Sequence, residues 1–387
     1  MRVLIAGGGV AALEAMIALR AIAGDRVEIT LLAPDRDFYY RPLAVAEPFG
    51  AGEMQRFDLA ELARGCGARY QLGSVVAVNP EERRVQTSRN ERLEYDTLLI
   101  AIGTRKRDPF PGAVTFRGSA DVGEIRWLLS DIEAGRAKRV VFAVPGGVTW
   151  SLPLYALALM TAEHVSGSPG ERPQLEIVTP EHAPLAVFGH KASEAVGALL
   201  AEREIGLRTD SYPLAFDLGE LRTRPGPPLT ADRVISVPRL SGVRIAGVPQ
   251  DENSFIQTDS HGRVPGLPGV YAAGDITTFS IKQGGIASQQ ADAAAECIAA
   301  QAGAQVTPRP FEPVLRGLLL TGSVPLFVRA ELTGGRGDTS TADADALWWP
   351  PSKIAARYMG PYLTERMDSA RPRSVQAQAS IKPSASA

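Results

Sequence analysis

Residues 2–19 read RVLIAGGGVAALEAMIAL, and this stretch decides the fold. Val3, Leu4 and Ile5 form an unbroken apolar run, as expected of a strand buried on both faces. Gly7 and Gly9 supply the first two glycines of a dinucleotide fingerprint, and Ala12 stands at the third position. The glycines permit a tight turn, and the bare backbone N–H groups at the helix start, at Val10 and Ala11, can meet a pyrophosphate. A Gly-rich loop alone is a weak signal, and a Gly-rich turn without a ligand is the bland alternative. Here a strand precedes the turn, a helix follows, and a second strand, VEITLLAP (27–34), comes next. One part of the pattern is missing. The acidic residue that usually ends the second strand and holds a ribose hydroxyl is replaced by Ala33. Asp35, two residues on, is a substitute; backbone and water are the other means.

Two later stretches extend the pattern. LEYDTLLIAIGTR (93–105) is an apolar strand that ends in Ala101, Ile102, Gly103 and Thr104. GLPGVYAAGDITTFSIKQGGIASQQADAAAECI (266–298) runs from a strand through Gly274-Asp275 and a short loop into an Ala/Gln-rich helix at Gly284. A carboxylate at that turn can accept a hydrogen bond from a ribityl hydroxyl. The helix behind it points its N-terminal N–H groups and positive dipole toward a flavin pyrimidine edge.

The chain has 387 residues, 45% hydrophobic and 22% charged, which suits two or three globular domains with real cores. A formal net charge of −2 gives no bulk attraction to nucleic acid. Two cysteines, Cys66 and Cys297, argue against a disulfide framework and suit a reducing cytoplasm. Two Cys and four scattered His make no metal-ligand cluster. The strand beginning at Arg2 is expected to leave no room for a leader. The apolar stretch 313–328 is broken by Arg316, two glycines and Pro325, so no transmembrane helix is expected. The tail 370–387 is small, polar and Pro-containing, and is expected to be disordered.

The middle of the chain carries a second strand, turn and helix, VVFAVPGGVTWSLP (140–153), followed by the strand LEIVTP (175–180). With the strand ends in register, Val144, Pro145 and Gly146 stand where a Gly-x-Gly pair would begin, and Trp150 falls at or beside the third glycine. An indole there buries on the order of 200 Å² and fills the volume a pyrophosphate needs. Pro153 is tolerated only in the first helical turn. Poor binding of NADH and NADPH follows, although the Gly146-Gly147 pair could re-route the turn, so NAD(P)H stays open. On this reading the middle domain is a wall of the substrate pocket.

On GGGVAA, AIGT and VYAAGD the chain resembles the two-dinucleotide-binding-domain flavoproteins over residues 1 to about 310. The resemblance implies non-covalent FAD and an α/β fold with two Rossmann-like, doubly wound, three-layer domains, the second inserted in the first. Residues 1–111 and 229–315 would form the FAD domain, 112–228 the degenerate NAD(P)-binding-like domain, and 316–369 a C-terminal cap or interface segment. Pro145, Trp150, Pro153 and Tyr155, with TTFSIKQGG (277–285), resemble the sulfide:quinone oxidoreductase and flavocytochrome c sulfide dehydrogenase group. Lys282 matches that group's loop lysine, whereas Trp150 or Ser151 replaces its cysteine and Ala156 its glutamate. DRDFYYRPLAVAEPF (35–49) resembles the same group and the type II NADH dehydrogenases. Neither Cys66 nor Cys297 matches a redox cysteine, so sulfide oxidation is not carried over.

The expected FAD contacts are Gly7, Gly9, Val10, Ala11, Ala33, Asp35, Arg41, Pro42, Val76, Ala101, Gly103, Thr104, Gly274, Asp275, Lys282 and Gly284. The catalytic candidates are Lys282, whose cation would favour anionic reduced flavin, and Tyr40, which with Tyr39 and Arg41 would line the isoalloxazine or pack against the C-terminal segment. His190 is either a proton exchanger or a cap or surface residue. Trp348, Trp349, Tyr358 and Tyr362 are expected to form a large aromatic surface facing a quinone, a lipid interface or a second subunit, or else a buried cap. The function expected is two-electron transfer through FAD to a quinone-like or other small-molecule acceptor. The alternatives are a type II-like NAD(P)H dehydrogenase and a non-enzymatic FAD-binding structural or redox-sensing protein. A cytoplasmic place is expected, with peripheral contact at the inner face of the membrane as the variant.

Overall fold

The computed structural model describes residues 1–40, 43–52, 54–167, 171–333 and 336–370. Arg41 and Pro42 lie outside the described residues, as does the expected disordered tail beyond residue 370.

The apolar runs of the first third become parallel strands. β1 (Arg2–Ala6), β2 (Glu28–Ala33), β3 (Arg69–Leu72) and β4 (Thr97–Ile100) lie in one sheet. The far edge of that sheet is a strand from much later in the chain, Val270–Ala272, which pairs in parallel with β4. β1 runs centrally, with Ile5 paired to Leu31 on one side and Leu99 on the other. Side chains alternate across the sheet. Val3 and Ile5 face the helices α1 (Val10–Ala23) and α6 (Gly284–Gln301). Leu4 and Ala6 face a layer of antiparallel strands that contributes Val75, Val78 and Val85. α1 and α6 contact each other through alanines, Ala11, Ala15 and Ala18 against Ala287, Ala291 and Ala294, all buried. Small side chains allow the close axis separation.

The second sheet is also parallel. β5 (Val114–Thr115), β6 (Arg139–Ala143), β7 (Gln174–Val178), β8 (Gly206–Arg208) and β9 (Arg233–Ser236) lie in the order β5-β9-β6-β7-β8. α3 (Val122–Glu133), α4 (Leu152–Ser166) and α5 (His190–Glu202) pack on one face, and Phe110, Leu221 and Ala231 on the other. The chain crosses between the sheets twice, at Arg105–Arg107 and Arg239–Ser241, which pair with each other. A boundary at 228/229 therefore falls too early: β9, beyond it, hydrogen-bonds to β6 and belongs to the second sheet. The Pro-Gly-Pro-Pro stretch just before that boundary is a turn between the antiparallel strands Glu220–Arg224 and Leu229–Thr230.

The C-terminal segment spans both units. After β10 (Val270–Ala272), the edge strand of the first sheet, β11 (Val314–Leu319), β12 (Leu326–Thr333) and β13 (Arg336–Asp343) form a separate antiparallel sheet. Leu315, Leu319 and Val328 join the second domain's core, and a Cβ on Gly317 would stand 2.6 Å from both Leu152 and Phe188. Ile354, Ala356 and α7 (Met359–Ala370), through Met359 and Leu363, join the first domain's core instead.

Candidate functional site

The Gly7–Gly9 turn is built for close approach. Gly7 adopts φ +135°, and a Cβ there would lie 2.1 Å from the Ala101 carbonyl oxygen. A Cβ on Gly8 would lie 2.9 Å from Ala33 Cβ, so Ala33 serves as packing against the turn. Gly9 is exposed and has nothing within 4 Å of its Cβ direction. It precedes α1, which has no side-chain cap and no acidic residue in its first turn. Among the described residues no hydrogen bond takes up the N–H groups of Val10, Ala11 or Ala12. Open space above unpaired donors at the positive end of a helix is the arrangement an anionic diphosphate needs.

The second turn closes on the first. Gly274 has φ +81°, and a Cβ would fall 3.1 Å from Ala11 Cβ and 3.5 Å from Ala287 Cβ, so the turn sits between the starts of α1 and α6. Gln290, buried on α6, fixes it from below: its Oε1 accepts from Gly274 N at 2.8 Å and its Nε2 donates to Thr277 Oγ1 at 3.2 Å. Asp275 follows, and its carboxylate has no hydrogen-bond partner among the described residues. Burial pushes its carboxyl above the usual range, opposed by Lys282 and Lys106. Lys282 donates to the Thr277 carbonyl and lies 4.1 Å from the centre of the Phe255 ring. Burial pushes its amine down to about 8, against the pull of Asp275 and Asp251. Gln283 caps α6 by accepting from Ile286 N at 2.8 Å, which leaves Gly284 at the helix start.

The chain end covers this point. A Cβ on Gly284 would meet Ile354 Cδ1 at 2.9 Å. Tyr40 hydrogen-bonds with the Ile354 backbone and the Ser352 side chain, and burial raises its phenol. Its hydroxyl thus lies against the C-terminal segment. Lys353, between those two contacts, was not a candidate from sequence. Its amine has no hydrogen-bond or ion-pair partner among the described residues, and burial alone lowers it to about 8. A lone lysine in WWPPSKIAARY carries no spacing signal that would have found it. From the second domain, Thr149 Oγ1 donates to the Ser280 carbonyl, bringing the VPGGVT loop against the Lys282 loop. Trp150 packs on Phe188, ring centres 5.8 Å apart.

Other candidates stand elsewhere. Gly103 has φ +70° with open space around it, beside Ala101 and Thr104 at the end of β4. Asp35 is exposed beyond β2, with its carbonyl accepting from Tyr70 OH at 2.7 Å. Val76 is 42% exposed on the antiparallel layer. His190 is a surface residue paired to Glu194 at 3.1 Å. Both cysteines are buried: Cys66 ends α2 (Leu59–Gly65), and Cys297, on α6, accepts from Arg263 at 2.8 Å. The four C-terminal aromatics do not form one surface. Trp348 packs edge-on to Phe327 and donates to Ser352 O, Tyr358 and Tyr362 lie against the first domain's core, and Trp349 alone stands 88% exposed. Among the described residues no group of three or more His, Cys, Asp or Glu could hold a metal, and no helix is long and apolar enough to cross a membrane.

The arrangement can hold a dinucleotide along the C-terminal ends of β1, β4 and β10, phosphates at α1, with carboxylate, amines and the α6 N-terminus around its far end. Residues 1–291 match the family described as pyridine nucleotide-disulphide oxidoreductase. Two NADH dehydrogenase-like proteins of Mycobacterium tuberculosis strains are 26% identical over 234 residues, spanning 57% of this chain. The match covers 58% of the length of those relatives. The sulfide:quinone oxidoreductase of Aquifex aeolicus superposes with a TM-score of 0.80 at 19% identity, covering 96% of each chain. A ferredoxin reductase of Rhodopseudomonas palustris gives 0.65 at 18% identity, covering 86% of this chain and 83% of its own. At such identities the structural likeness establishes a shared fold and nothing finer.

Proposed function

The chain belongs to the pyridine nucleotide-disulphide oxidoreductase family, and from that premise we propose that it holds FAD non-covalently in the first domain and passes two electrons from a small-molecule donor to a quinone-like acceptor. The observation that carries this reading is the meeting of the α1 start, Gly274-Asp275 and the α6 start, with an unpartnered carboxylate and open donors at one place. Bound FAD supplies the two-electron redox chemistry. The chain's own residues bind and bias it. The N–H groups of Val10 and Ala11 take the pyrophosphate, and Asp275 takes a ribityl hydroxyl. Lys282, Lys353 and the α6 N-terminus place positive charge where the ring gains electrons. The Ser352–Ile354 stretch, held on Tyr40 and Gly284, keeps water from that edge.

A quinone-like acceptor is what the name of the similar Aquifex aeolicus enzyme suggests. With both cysteines buried away from the Gly274 turn, a thiol route from sulfide is not part of the proposal. A second reading, an NAD(P)H dehydrogenase, is favoured by the names of the mycobacterial relatives. Peripheral attachment at a membrane or a second subunit would begin at exposed Trp349. Anaerobic titration of the purified yellow protein tests the proposal. Denaturation should release FAD and not FMN, and at least one donor should bleach the flavin, with re-oxidation by a short-chain quinone. FAD retained with no donor or quinone turnover would leave the structural or sensing role instead.

A further inference from the structure

The second domain contrasts with the first at the same step of its topology. β7 leads through Thr179 and Pro180 to Glu181, beside the start of α4. Ser151, the residue before α4, donates from Oγ to both carboxyl oxygens of Glu181 at 3.1 Å. Tyr155 OH donates to it at 3.0 Å and Thr179 Oγ1 at 2.8 Å. Ser151 is 2% exposed and Tyr155 fully buried. Desolvation pushes the Glu181 carboxyl upward, and the three hydroxyl donors oppose that.

The helix start itself offers little to a phosphate. Pro153 has no N–H, and the N–H groups of Leu154 and Tyr155 both donate to Ser151 O. Only Leu152 remains in that turn. At α1 the N–H groups of Val10, Ala11 and Ala12 are unpaired among the described residues, and no acidic residue stands in the first turn. In a nucleotide-binding domain of this topology, the helix N-terminus takes the pyrophosphate and an acidic residue after the second strand takes the ribose. Here the acidic residue is already bonded to the domain's own hydroxyls at the helix start, and Trp150, next to Ser151, packs on Phe188.

We infer that Glu181, clamped by Ser151, Tyr155 and Thr179, occupies the place of a nicotinamide nucleotide's diphosphate and ribose, and so sets the donor specificity of the chain against NADH and NADPH. The inference deepens the proposed function and rests on it: the flavin is in the first domain, and the second serves as a wall. A pyrophosphate brought to α4 would meet a carboxyl group instead of free N–H groups, and the ribose would find its usual acceptor taken.

Calorimetric titration of the FAD-loaded protein tests this, because its readout does not depend on electron transfer and the first domain's site is filled. Wild-type protein should give no binding heat with NADH, NADPH or ADP-ribose up to about 1 mM. Glu181→Ala should bind ADP-ribose at least about tenfold more tightly than wild type. Micromolar NADH binding by wild type overturns the inference, as does equal ADP-ribose affinity in the two proteins. Should Glu181→Ala fail to fold, Glu181→Gln keeps the volume and removes the charge, and must still tighten ADP-ribose by about threefold or more; unchanged affinity there is equally fatal. Dithionite bleaching, run in parallel, reports whether FAD is present, so failure of the flavin reading is seen separately.

Discussion

The carboxyl groups of Asp292 on α6 and Glu14 on α1 are buried and coupled, and the Glu14 charge favours a proton on Asp292. Glu14 is fully buried, and its two oxygens also accept the N–H groups of Tyr358 at 2.8 Å and Met359 at 2.6 Å, capping the start of α7. The pair therefore ties the C-terminal cover to the two helices whose starts frame the candidate flavin site. Burial and the Glu14 charge hold Asp292 protonated, its carboxyl raised to about 9, with Glu296 adding to the shift and Arg357 opposing it.

This pair gives the protein a direction of pH dependence. Asp292 binds its proton more tightly folded than unfolded, so its contribution is complete below about pH 4 and fades as pH rises toward 9. Wild-type stability should fall across pH 6–9. Asp292→Asn, which keeps a donor toward Glu14 and cannot ionise, should flatten that fall and melt higher at pH 9, by roughly 2–4 °C per kcal/mol relieved. Parallel melting curves for the two proteins at every pH would refute the proton held on Asp292.

The buried and the exposed end of the first glycine turn, Gly7 and Gly9, should separate folding from binding. Gly7→Ala drives a Cβ into the Ala101 carbonyl oxygen at a positive φ, against backbone that cannot swing aside, and should cost at least about 3 kcal/mol or prevent soluble expression. Gly9→Ala meets open space at φ −95° and should cost under about 1 kcal/mol. Its methyl group lies over the α1 donors, so FAD affinity should drop about tenfold or more while circular dichroism stays unchanged. Equal FAD affinity for Gly9→Ala would move the diphosphate away from α1.

The thiols should be silent. Burial raises the Cys66 thiol, which lies beside Tyr362, and Cys297 is held by Arg263. A buried thiol with little thiolate character reacts slowly. Cys66→Ser and Cys297→Ser should each leave flavin reduction within about twofold of wild type, and native protein should take up thiol reagent far more slowly than unfolded protein. Loss of flavin reduction in either variant would restore a redox cysteine.

What the sequence showed, and what it hid, follow from the range of the constraint. β1, the Gly7–Gly9 turn and the Gly274-Asp275 turn were legible because each is fixed by neighbours a few residues away: an apolar run, a glycine where no Cβ fits, a helix after it. Trp150 and Pro153 likewise announced an altered second turn. β9 fell on the wrong side of the boundary because a four-residue strand carries no local sign of which sheet it joins. Lys353 and the Tyr40 contact depend on the chain end returning to α6, and the hydroxyls of Ser151, Tyr155 and Thr179 converge on Glu181 only once α4 packs beside β7. Spacing along a chain does not report such meetings.

Two amines, Lys282 and Lys353, stand at the candidate site. Lys282 sits by Asp275 and Phe255, partly desolvated, and is charged at neutral pH because its amine titrates at about 8. A cation beside a ring that gains negative charge stabilises the reduced state, and a loss of about 1.4 kcal/mol corresponds to about 30 mV in a two-electron couple. Lys282→Met should therefore lower the flavin midpoint potential by roughly 30 mV at pH 7. Because the wild-type amine gives up its proton as pH rises through about 8, the gap between the two proteins should narrow by pH 9. A structural lysine would behave otherwise: its loss would shift FAD retention or stability and leave a potential difference that does not close with pH. Lys353→Met provides the comparison, since its amine also titrates at about 8 but lacks a carboxylate partner. If both amines face the flavin, the double variant should shift by about the sum of the single shifts. Spectroelectrochemical titration at pH 6, 7, 8 and 9 resolves this. A potential unchanged by Lys282→Met at pH 7, or a gap constant to pH 9, would remove Lys282 from the flavin edge and leave it as a brace between Thr277 and Phe255.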